Sequence, residues 1–109
     1  MTNDELLKSL RELEVQLRSS RVQFFFQNQP PEAGERFVTM RQEVSALIGQ
    51  LANAQLGKIA DQLDSLSNDL NLGIQNLQKR IEAFDTANDI LNDLAKVIRV
   101  AVRIVDLVA

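Results

Sequence analysis

Large apolar residues recur every seven positions through the C-terminal half of the chain: Leu63, Leu70, Leu77, Phe84, Leu91, Ile98 and Val105 share one register. Seven residues are nearly two α-helical turns, so these side chains line a single stripe that must be buried against another helix. The N-terminal part carries the same period. Leu6, Leu10, Leu13, Leu17 and Phe24 form a stripe with Ser20 as its polar member, and Thr2 to Glu5 has the spacing of a capping box. A first helix is predicted over about residues 3–28.

Gln27-Asn28-Gln29-Pro30-Pro31 is the strongest breaker in the sequence. Pro30 disfavours helix at Gln29, whereas Pro31, Glu32 and Glu35 suit the first turn of a new helix and its positive dipole end. A turn within 27–35 therefore reverses the chain and makes the first two helices an antiparallel hairpin.

Beyond it, Phe37, Met40, Val44, Leu47, Leu51 and Ala54 continue the stripe, which slips by one residue at Gln55-Leu56-Gly57 and resumes with Ile59, Leu63, Leu66 and Leu70. A continuous helix can absorb such a slip by local unwinding. The pattern predicts a long helix over about 33–83, with weak points near 57 and at 71–73, then a corner at 84–88 where Asp85-Thr86-Ala87-Asn88 can cap a C-terminal helix over about 86–109. The expected fold is all-α, a single domain of antiparallel, coiled-coil-like helical hairpins. It has three long helices, or four segments of similar length if the chain also turns near 57.

The last helix is unusually apolar. Asn92, Lys96, Arg99, Arg103 and Asp106 fall within an arc of about 80° at 100° per residue, and most of the remaining circumference is Ile, Leu, Val and Ala. Such a helix is covered on several sides, by its own bundle, by an oligomer core or by a membrane surface. Its Val and Ile content also admits a strand, but the polar residues keep a helical period and no other segment alternates as a strand partner would.

Composition narrows the chemistry. In 109 residues there are 12 Lys plus Arg against 15 Asp plus Glu, a net charge of −3, which argues against a nucleic-acid binder because phosphate contacts need a basic face. Residues 56–95 hold seven acids and three bases, a net of −4, while 96–109 hold three bases and one acid, a net of +2. No Cys, His, Trp or Tyr occurs, which removes disulfides, thiolate metal sites, a cysteine nucleophile and the usual general base near neutral pH. The start Met1-Thr2-Asn3-Asp4-Glu5 lacks the features of a signal peptide, and a cytoplasmic protein is expected.

A few clusters could carry function. Phe24, Phe25 and Phe26 sit just before the Pro-Pro turn and either plug the end of a bundle or form a contact tip for a partner or a bilayer. Lys96, Arg99 and Arg103 form a basic stripe, either the wet edge of a buried helix or a surface for an anionic membrane or partner. Asp85, Asp89 and Asp93 make an acidic row at i, i+4, i+8. Glu32-x-x-Glu35 and Glu82-x-x-Asp85 resemble the paired acidic motifs of all-α nucleoside-triphosphate pyrophosphatases of the MazG type, a likeness that implies Mg²⁺-dependent hydrolysis. It covers those four residues alone, at a wider separation than that family uses, and helix starts attract acids in any case.

No catalytic residue, cofactor or metal is assigned. The expected function is non-enzymatic: a helical module that packs against another helical protein or oligomerises through the Leu63–Val105 stripe, with a homodimer favoured. A membrane-surface protein is the main alternative and an Mg²⁺-dependent pyrophosphatase the second.

Overall fold

The computed structural model describes residues 3–53 and 60–108, with side chains over 4–53 and 64–107. Among them are five helices and no strand: α1 (Asn3–Leu17), α2 (Ser20–Gln27), α3 (Pro31–Ala52), α4 (Ala60–Glu82) and α5 (Ala87–Val108). The all-α class is thus shown, and the C-terminal segment is a helix.

The first expected helix is two. Ser19 is extended and its hydroxyl accepts a hydrogen bond from the Val22 amide, capping α2 one residue after α1 has ended. A short polar side chain beside its own backbone offers this alternative to continued helix. The break advances the phase of the stripe. Leu6, Leu10, Leu13 and Leu17 are buried, but the inward positions then become Val22 and Phe26, and Phe24 turns outward with 68% exposure.

The expected long helix is also divided. Fifty residues of uninterrupted helix would span roughly 75 Å, whereas the longest dimension of the fold is 44 Å. Helix α3 ends at Ala52 with Asn53 as C-cap, and α4 begins at Ala60. The slip and weak point at Gln55-Leu56-Gly57 lie outside the described residues, as does the capping role of Thr2. Residues 71–73 form no break: α4 runs through them, and Gly73 serves packing instead, since a Cβ there would stand 3.3 Å from Val97 on α5.

Helix α1 packs against α3 and α4, and α5 packs against the same two. Four arms, α1–α2, α3, α5 and α4 in order around the ring, enclose one core. The first turns of α3 and α5 line a shared cleft, so those helices run in the same direction. That core is continuous, from Leu6 and Leu10 through Val44, Leu51, Leu70 and Leu77 to Leu94, Ala101 and Ile104.

At the α4–α5 corner, the Phe84 amide donates to the Ile81 carbonyl and the Asp85 amide to the Arg80 carbonyl, the two bonds of a Schellman motif. Phe84 occupies its left-handed position with φ 49°, a place that ordinarily favours glycine. The heptad repeat therefore does not run through the corner as helix. Thr86 then starts α5, its hydroxyl accepting from the Asp89 amide.

Candidate functional site

The expected stripe faces inward. Leu70, Leu77, Leu91 and Ile98 are buried within the one chain, Phe84 and Val105 are half-buried, and the side chain of Leu63 is outside the described set. Because α1 and α5 cover α4, the buried members of this stripe are satisfied within one chain.

The phenylalanines meet at the end of the bundle where α2 turns into α3. Phe26 stacks on Phe37 with centroids 4.1 Å apart, Phe25 meets Phe26 edge-on at 5.2 Å, and Phe25 lies 5.6 Å from Phe84. Two cations sit over rings: Arg21 at 4.8 Å from Phe84 and Arg41 at 5.6 Å from Phe37. Phe24 alone of the three consecutive aromatics projects into water.

Beside Phe24, a groove runs between α2 and α3 over Phe26, Phe37, Gly34 and Val38, with Gln23, Gln27 and Arg41 on its rim. Gly34 lies on its floor, where an added Cβ would make ordinary contact with the Phe26 carbonyl at 3.5 Å. Val38 is 40% exposed at the centre. Arg41 is half-buried, its Nε has no hydrogen-bond partner, and neither it nor Glu35 forms an ion pair among the described residues. One turn on, Ser45 donates to Glu14 and accepts from Arg18 at 3.0 Å, clipping α3 to α1.

The acidic row has a cation of its own. Arg80 of α4 reaches Asp85 at 3.4 Å and Asp89 at 3.9 Å, and its Nε pairs closely with Asp93. One carboxylate of the α4–α5 corner and two on α5 thus converge on a single guanidinium of α4. Lys96 adds a contact to Asp93 at 4.0 Å. Of the four acids that suggested a pyrophosphatase, Glu32, Glu35, Glu82 and Asp85 are all exposed, and Asp85 belongs to the Arg80 cluster. No group of three or more acids among the described residues is placed to hold a metal ion.

Lys96, Arg99 and Arg103 lie together on the outer, exposed edge of α5, while Leu94, Ala101 and Ile104 on the opposite side are buried. Among the described residues no helix is long and apolar enough to cross a membrane.

Sequence periodicity did not single out Arg41, Ser45, Arg80 or Ser67. The last is a buried serine whose hydroxyl has no partner among the described residues. Arg80 had one signal, its position just before a corner followed by acids at 85, 89 and 93. Ser45 had none, because its partners Glu14 and Arg18 come from a different helix, and Arg41 had only the ordinary i, i+4 spacing to Phe37.

Comparison with protein-family models, with curated proteins and with solved structures returns no match for this chain.

Proposed function

We propose that this chain is a non-enzymatic helical module that acts by packing its outer helix faces against another helical protein, first of all a second copy of itself. What carries the reading is the exposure of Phe24 (68%) and Val38 (40%) on either side of the Gln23 and Gln27 edge of the α2–α3 groove. A closed core would ordinarily leave such a residue inside, and a ring adjoining an apolar groove is the composition of an interface centre. Val15, 70% exposed, shares a mostly charged concavity on α1 with Leu7, and Leu72, 58% exposed, stands singly on α4. The reading places the protein in the cytoplasm, where a chain without cysteines holds its shape by packing alone.

A membrane-surface role through α5 would have to rest on the exposed Lys96, Arg99 and Arg103 edge with Val102 and Leu107, because Leu94, Ala101 and Ile104 hold the bundle together. Sedimentation equilibrium from micromolar to millimolar concentration tests self-association. The expected result is a concentration-dependent rise above the 12.3 kDa monomer, reduced by Phe24→Ser. A constant monomer mass, together with no stoichiometric protein partner retained by the native protein, overturns the proposal.

A further inference from the structure

The α2–α3 face carries a pattern that is its own complement. Along the outer side of α3, Glu35, Val38 and Arg41 follow one another at three-residue steps, an acid and a base placed symmetrically about an exposed valine. Turning a second α3 end over end about an axis through Val38 brings Val38 against Val38, and sets each Arg41 opposite the other copy's Glu35. An interface with two-fold symmetry needs just this relation, residue i meeting j while j meets i.

We infer that a second copy of this chain docks on this face, with α3 antiparallel to its counterpart and two reciprocal Glu35–Arg41 ion pairs across the axis. This rests on the helix-packing reading above and names its interface. Charge complementarity commits the occupant. Arg41 is half-buried over the Phe37 ring, its Nε has no hydrogen-bond partner and it has no acidic partner among the described residues, so a carboxylate brought to it stabilises the guanidinium. Glu35 is exposed and unpaired among the described residues.

The chain has no cysteine, so Val38→Cys places one thiol on the axis, and a disulfide requires the two Cα atoms to come within about 7 Å. Mild oxidation of V38C is expected to give a covalent dimer faster than Val15→Cys or Leu72→Cys, which are at least as exposed but off the axis. In sedimentation, Arg41→Glu and Glu35→Arg should each weaken self-association about tenfold or more, since each turns two attractions into repulsions. The double variant E35R/R41E restores opposite charges and should recover most of the loss.

Circular dichroism confirms that each variant is folded, and Glu35→Arg alters only an exposed side chain. Crosslinking of V38C no faster than the two controls, or a double variant as weak as the singles, overturns the inference. If the wild-type protein still associates in that case, helix packing stands and this interface falls. A wild-type chain that stays monomeric overturns the inference outright, and helix packing then depends on a different protein as partner.

Discussion

Arg80 and Asp85 are joined twice across the α4–α5 corner: the Asp85 amide donates to the Arg80 carbonyl at 3.1 Å, and the carboxylate meets the guanidinium at 3.4 Å. In a Schellman motif these two positions usually share an apolar contact. Here an ion pair takes that place, and Phe84 between them holds a backbone conformation that L-residues avoid. Its ring, against Phe25 and beneath Arg21, offsets that cost.

Phe84→Ala keeps the unfavourable φ and loses the ring, whereas Phe84→Gly loses the ring but relieves the backbone. The glycine variant should therefore be more stable than the alanine variant by about 1 kcal/mol. Urea denaturation of the pair measures this. An alanine variant as stable as the glycine one would show that the left-handed turn is not kept in solution.

Phe24 and Phe26 are two residues apart and should behave oppositely. Phe26 is 2% exposed and stacked on Phe37, so Phe26→Ala should cost about 3–5 kcal/mol, a large share of the stability of a domain this size. Phe24→Ala should change monomer stability by less than about 0.5 kcal/mol. Denaturant midpoints at low protein concentration, where association does not contribute, separate the two.

The three aspartates around Arg80 differ in burial, and their contributions should follow it. Asp93 has a side chain 13% exposed, and its Oδ2 lies buried against the Arg80 guanidinium without a hydrogen bond, so Asp93→Asn removes the least screened of the three ion pairs and should cost about 1 kcal/mol. Asp85 and Asp89 are 47% and 52% exposed, and each change to Asn should cost less than about 0.5 kcal/mol. Thermal melts in low and high salt check this: the small effects should shrink with added salt and the Asp93 effect should largely persist. Equal costs at all three positions would contradict the arrangement.

Two substitutions should stabilise the fold or leave it unchanged. Nothing stands within 4 Å of a Cβ added at exposed Gly49, so Gly49→Ala should gain about 1 kcal/mol from helix propensity. Ser67→Ala removes a buried hydroxyl that has no partner among the described residues and should be neutral or favourable. Gly73→Ala should bring little or no gain, because its Cβ would press on Val97. Calorimetric midpoints rank the three, and a destabilised Ser67→Ala would reveal a hydrogen bond to that hydroxyl.

Sequence by itself determined the helical class, the turn at Pro30-Pro31 and the helix start after Thr86, because each follows from local chemistry: a heptad period, a missing amide, a capping hydroxyl. It also determined which residues of α5 face water, since one continuous helix preserves its own phase from Asn92 to Asp106. Tertiary structure alone decided where that phase is lost. A cap at Ser19 rotates Phe24 out and Val22 and Phe26 in, and a Schellman turn holds Phe84 off the helical register. Both motifs are local hydrogen-bond patterns, but the neighbours that favour them over continued helix are distant: Phe84 packs on Phe25 and under Arg21, and Phe26 stacks on Phe37. The same reason hid Arg80, whose partners Asp89 and Asp93 stand on the neighbouring helix. An ion pair or a ring contact between helices depends on the angle at which they cross, and periodicity records only the face of each helix, never what stands opposite it.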